Sequence, residues 1–116
     1  MNHKNLDIWK KSIVLVKDIY SITRSFPTDE KFGIVNQIRR AAVSIPSNIA
    51  EGCARGSDKE LLRFLDIAQG SLAELETQLI ISEQLEYIKS NDLIKQIESI
   101  GQMLSGLKRH IKQKEQ

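Results

Sequence analysis

The chain is short of nearly everything that would announce chemistry. Aromatic residues make up only 5% of it, and Cys53 is its single cysteine. One cysteine cannot make an intrachain disulfide, and no second cysteine or ordered histidine pair offers a metal-binding spacing, so neither a disulfide scaffold nor a metal site is expected. The thiol reads as a small, buried, apolar side chain. No run of about 18 uninterrupted apolar residues exists, which excludes an ordinary membrane-spanning helix. The start, Met1-Asn2-His3-Lys4, does not lead into the apolar core of a signal peptide, and a cytoplasmic protein with no membrane partner is the expectation. A net charge of +2 is too small to imply a polyanionic partner by itself.

Catalytic groups are equally scarce. His3 sits in the terminal segment, expected to fray, and His110 lies in a basic stretch with no sequence signal of a partner acid, so neither reads as a general base. Glu74 and Glu76 would project about 200° apart on a helix and cannot flank one substrate together. There is no Glu-x-x-His pair of the kind that builds a di-iron site in a bundle, and no glycine-rich phosphate loop after a strand. No enzyme activity, cofactor or small-molecule substrate is expected.

What the sequence does contain is helix. Its 116 residues suffice for one core, and 41% hydrophobic with 28% charged residues are values typical of a globular domain. Leu61, Leu65, Ala68, Leu72, Leu75 and Leu79 recur in alternating steps of four and three, and Leu93, Ile97, Ile100, Leu104, Leu107 and Ile111 repeat the pattern; both are seams of a helical bundle. No period-two segment, internal repeat or low-complexity tract interrupts them. The expected architecture is all-α: a single domain over 1–116, folded as an antiparallel up-down four-helix bundle.

The boundaries follow from local signals. Helix one is expected over about 7–26, ended by Pro27. Thr28 reads as the N-cap of helix two, about 29–54, with Asp29 and Glu30 at its positive pole. Ser57-Asp58-Lys59-Glu60 reads as a capping box opening helix three, about 58–86. Ser90-Asn91-Asp92 reads as the cap of helix four, about 92–112. Short connections make neighbouring helices antiparallel. Pro46 would cost about 3 kcal/mol inside a helix, yet Val35, Ile38, Ala42, Ile45, Ile49 and Cys53 hold one phase across it. A proline-kinked continuous helix is therefore expected, with Ser44, Ser47 and Asn48 placed to satisfy the freed carbonyl and neighbouring groups. Gly70 costs about 1 kcal/mol in mid-helix relative to Ala, and close approach of another backbone is the expected reason for it.

Two sets of residues are candidates for function. On helix one, Ile8, Leu15, Ile19, Ile22 and Phe26 form a core row, while Trp9, Ile13, Val16 and Tyr20 form a second row beside it. That second row points to contact with another subunit. The other set is basic. Arg39 and Arg40 should lie level with Leu72 to Glu76 and either pair with Glu74 or Glu76 or turn outward to nucleic-acid phosphate. Arg55, Lys59 and Arg63 gather at the other end of the same hairpin; Lys59 and Arg63, one turn apart, repel each other and otherwise read as a solvated face. Lys108, Arg109 and Lys112 suit the negative pole of a helix C-terminus or a phosphate backbone.

The stretch Gln37-Ile38-Arg39-Arg40-Ala41-Ala42-Val43-Ser44-Ile45-Pro46-Ser47-Asn48-Ile49-Ala50-Glu51-Gly52 resembles the central signature of the four-helix bundle proteins encoded in intervening sequences of bacterial 23S ribosomal RNA genes. Phe64-Leu65-Asp66-Ile67-Ala68-Gln69-Gly70-Ser71-Leu72-Ala73-Glu74-Leu75-Glu76-Thr77-Gln78-Leu79 is similar to the family's third-helix block, Leu6-Asp7-Ile8-Trp9-Lys10-Lys11-Ser12 to its opening, and Phe32-Gly33 to its turn. The resemblance implies a left-handed bundle that assembles into a ring, a homopentamer in members of known architecture, with no established activity. A related accessory protein of diversity-generating retroelements shares the build and binds a reverse transcriptase and RNA through a basic outer surface. By this resemblance the expected partners are other copies of the chain and RNA, or a nucleic-acid-processing protein. An interaction scaffold without nucleic acid is the alternative.

Overall fold

A computed structural model describes residues 1–89 and 92–114, and every regular element among them is helical. Four long helices dominate: α1 (Asp7–Thr23), α2 (Ile34–Ala54), α3 (Asp58–Gln84) and α4 (Asp92–Lys114). Short 3-10 turns at His3–Asn5 and Thr28–Glu30 precede α1 and α2. The molecule measures 49 × 22 × 20 Å, the shape of long helices lying side by side.

The register follows from a few contacts. Ser44 of α2 meets Ser71 of α3, and farther along Gly52 meets Leu61 and Phe64, so residue numbers fall on one helix as they climb on the other. The same relation joins α3 to α4, through Leu72 with Gly101 and Asp66 with Lys108. Asp18 of α1 is tied to Gln96 of α4, which closes the square. Each helix packs on two neighbours, and α1 and α3 sit on opposite corners. Burying one large aliphatic side chain contributes roughly 1.5–3 kcal/mol, and the centre is lined by Leu15, Ile19, Ile38, Ile45, Ile49, Leu65, Leu75, Leu79, Ile100 and Leu104, all fully buried. Both expected seams are in place; Leu107 alone is only half-buried. Cys53 is buried, as its reading required.

Several local expectations are corrected. The first helix stops at Thr23, before Pro27, because Ser25 and Phe26 close tighter turns onto Ile22 and Thr23. Thr28 does not cap helix two; it opens the short 3-10 turn, and α2 starts only after Gly33. Tertiary structure explains the delay. Glu30, expected to serve the positive pole of the helix, accepts a hydrogen bond of 2.9 Å from the Tyr87 hydroxyl, which latches this elbow to the end of α3. The Phe26 and Tyr87 rings meet beside it at 5.3 Å.

α2 runs unbroken through Pro46. Ser44 and Asn48 do not serve the Ala42 carbonyl that the proline leaves free; Asn48 donates to the Ser44 carbonyl at 2.7 Å and to its hydroxyl at 2.9 Å, and Ser44 bonds Ser71 across to α3. Ser47 is exposed. Ser57 caps α3 by accepting from the Glu60 amide at 3.2 Å, but the reciprocal half of the box is absent because Arg63 takes both Glu60 oxygens. α3 ends on Glu86 at φ 64°, the left-handed position where glycine is usual. The Ser90-Asn91 part of the expected α4 cap lies outside the described residues. Gly70 faces open space, so no backbone of this chain approaches it. The glycine that close packing demands is Gly52: a Cβ there would stand 2.8 Å from Phe64 Cβ and 3.3 Å from the Leu61 carbonyl oxygen.

Candidate nucleic-acid interface

The basic residues singled out from sequence divide into anchored and unanchored groups. Arg39 does not turn toward Glu74 or Glu76. It crosses to α1, where Nε donates to Thr23 Oγ1 at 2.9 Å, Nη2 reaches the Tyr20 carbonyl at 3.4 Å, and the guanidinium lies 4.5 Å from the centre of the Tyr20 ring. The residue after it in a helix points about 100° away, and Arg40 accordingly faces the cleft between α2 and α3 with Gln37, Ser44, Ser71 and Glu74. No ion pair within 4 Å joins it to a carboxylate among the described residues.

At the opposite end, the helices supply their own acids. Arg55 pairs with Glu51 one turn earlier at 2.9 Å, and Arg63 with Glu60 at 2.8 Å. Both guanidiniums also lie on the Phe64 ring, at 5.0 and 4.4 Å from its centre. The Arg63 hydrogen bond holds the Glu60 carboxyl below its ordinary range, and Glu60 in turn holds the Arg63 guanidinium above its own. Lys59 stays exposed beside them with no ion-pair partner among the described residues. Lys108 is tied down too: half-buried, it bonds Asp66 at 2.7 Å and also Gln69, stitching α4 to α3. Arg109 and Lys112 are exposed on the outer side of α4 without such partners.

The oligomer candidates divide in the same way. Trp9 and Val16 pack against the core of their own bundle, and His3, far from fraying, meets Trp9 edge-on at 5.0 Å. Ile13 and Tyr20 remain exposed, joined on the same helix by Val14. A second outward apolar set was not singled out from sequence: Ile67, Ile81 and Leu85 are exposed on one flank of α3 and Ile80 on the other. Its signal was present as isoleucines out of phase with the Leu61 to Leu79 seam, but the strength of that seam masks it.

These placements can be set beside relatives. The family model described as 23S rRNA-intervening sequence protein matches residues 4–106. The chain belongs to that family. The match spans all of α1, α2 and α3 and most of α4, so the intervening-sequence bundle accounts for the region holding every candidate except Lys108, Arg109 and Lys112. No curated protein matched the chain. As a member of the intervening-sequence family, the chain contains no group of His, Cys, Asp and Glu able to hold a metal ion among its described residues, and no helix there is long and apolar enough to cross a membrane. Burial raises the Cys53 thiol above its ordinary range, which makes it a poor nucleophile.

Proposed function

We propose that this intervening-sequence protein is a non-enzymatic, cytoplasmic homo-oligomer, a pentameric ring, that binds structured RNA or a ribonucleoprotein partner through its unanchored basic residues. The observation that carries the reading is that Arg40, Lys59, Arg109 and Lys112 are exposed cations with no carboxylate partner among the described residues. Repetition around a ring multiplies such scattered contacts by avidity. Arg55, Arg63 and Lys108 belong to the same candidate surface but are paired with Glu51, Glu60 and Asp66, so their contribution to phosphate contact is secondary; Arg39, which has no carboxylate partner among the described residues, also holds α1 to α2.

Ring formation is supported by the two outward apolar faces. Ile13 and Tyr20 share a face of α1, while Ile67, Ile81 and Leu85 share one of α3, at the opposite corner of the bundle. Two unlike faces on opposite sides suit a head-to-tail contact, which generates a ring when its rotation closes.

Light scattering after size exclusion, on protein purified at low salt without nuclease, is the direct test. A mass near five chains with excess absorbance of nucleic acid, lost as salt rises, is the expected result; a clean monomer contradicts it. The competing reading, a protein-interaction scaffold without nucleic acid, turns on Arg40. Arg39→Ala should lower the melting temperature under either reading, because Arg39 holds α1 to α2. Arg40→Ala should weaken RNA binding with little change in stability; if no RNA binds and Arg40→Ala still lowers the melting temperature, the scaffold stands.

A further inference from the structure

The elbow between α1 and α2 forms an open cavity of about 240 Å³ lined by Thr23, Arg24, Phe26, Pro27, Thr28, Lys31, Val35 and Arg39. Arg24, Lys31 and Arg39 bring positive charge to it from α1's end, the turn and α2, and no carboxylate shares its lining. The two acids of the same turn do not line it: Glu30 is turned to the Tyr87 hydroxyl, a neutral donor that leaves its charge in place, and Asp29 is exposed on the turn. Phe26, Pro27 and Val35 give one wall an apolar character, which strengthens charge interactions relative to open water.

Arg39 is held in place for binding. Thr23 Oγ1 donates to the Ile19 carbonyl at 2.7 Å and accepts from Arg39 Nε, so the guanidinium is fixed by a hydroxyl that is itself fixed. With Nε and Nη2 directed at α1 and the plane resting on Tyr20, the Nη1 donors have no acceptor among the described residues. Arg24 and Lys31 are exposed and make no ion pair among the described residues. An arrangement of one pre-oriented guanidinium and two exposed cations, Lys31 resting 5.5 Å from the centre of the exposed Phe32 ring, with Thr28 in the same lining, is suited to a tetrahedral oxyanion.

We propose that this elbow is a phosphate-binding site, formed by Arg39, Arg24, Lys31 and Thr28, that takes one phosphate group of an RNA strand or a free phosphate. It rests on the RNA-binding reading only for the identity of the molecule that carries the phosphate. Arg24, Lys31 and Thr28 are absent from the basic surface argued above, so the two can be tested apart.

The experiment uses the whole chain and two probes. Inorganic phosphate is titrated while two-dimensional NMR follows the Arg39 Nε–H and the Thr28 amide, with chloride at equal ionic strength as the control. Saturable shifts specific to phosphate are expected, weakened at least about tenfold in an Arg24→Gln, Lys31→Gln double variant; that variant gives up the Lys31 contact with the exposed Phe32 ring, so an unchanged melting curve is required of it first. Equal shifts with chloride, or phosphate shifts untouched by the double variant, overturn the proposal whatever RNA does. A labelled single-stranded RNA is then titrated over a range of salt. If its affinity falls in the double variant and the salt slope shrinks by about one, the phosphate belongs to RNA. If phosphate binds while RNA binding is unchanged or absent, the site stands with a free phosphate as its ligand; RNA binding absent altogether ends the RNA reading alone.

Discussion

The two ends of the bundle carry similar numbers of cations and use them in opposite ways. At the α2–α3 turn, Arg55 and Arg63 meet Glu51 and Glu60 from their own helices and share the faces of one phenylalanine. The polar hollow beside them, which Lys114 also lines, includes the carboxylate of Asp58. At the α1–α2 elbow, the acids lie outside the cavity and the cations converge within it. A basic cluster is therefore defined less by how many cations it contains than by where the neighbouring carboxylates point. Exposed pairs such as those at the α2–α3 turn add little to stability, so their effect is chiefly to orient guanidiniums and cancel charge.

The largest effect should come from removing the platform of the neutralised end. Phe64 is buried under two guanidiniums, and Phe64→Ala should cost about 3–5 kcal/mol in denaturant unfolding. A cost below about 1 kcal/mol would mean that the stack, and with it the contrast between the ends, has been misjudged. Gly52→Ala comes next: with Phe64 Cβ 2.8 Å from the new methyl, the loss should be about 1–3 kcal/mol. Gly70→Ala, in open space, is its mirror and should gain up to about 1 kcal/mol; a loss there would place another subunit against that face.

At the elbow, Thr23→Val removes the hydroxyl that fixes Arg39. Its cost should be about 1 kcal/mol in a melt, and it should weaken any phosphate response of Arg39 without changing the charge of the site. The smallest effect is in pH. Because the Arg63 hydrogen bond depresses the Glu60 carboxyl, the pair's contribution is present above the unfolded carboxylate range and is lost as pH falls through the lower folded value. The Tyr87 hydroxyl, raised by its hydrogen bond to Glu30, has the opposite sign: its contribution is present below the ordinary tyrosine range and fades as pH rises through the higher folded value. Melting curves of Glu60→Gln should thus lose a shallow acid slope, and those of Tyr87→Phe a shallow alkaline one.

Much of this was readable in the chain, but unevenly. The α3 and α4 seams were legible because steps of four and three report which side of a helix is dry, and burial follows that side almost residue by residue. Continuity through Pro46 was legible for the same reason, since the stripe keeps its phase. Arg39 was not legible: adjacent arginines in a helix diverge, and nothing local tells which one meets α1 and which opens to the α2–α3 cleft. Half of the second row on helix one, Trp9 and Val16, was absorbed by the chain's own core, because the width of an apolar arc does not say which neighbour covers it. The pairings of Arg55 with Glu51 and Arg63 with Glu60 stood in plain spacing and were overshadowed by the repulsion between Lys59 and Arg63.

Periodicity, being local, determined the helices, their seams and the all-α class, while the family signature ran along the same residues. The delayed start of α2, the latch of Tyr87 on Glu30 and the role of each arginine were decided only in the folded molecule. Each depends on a partner from a different helix, and a side chain with more than one available partner is committed by geometry that only packing supplies.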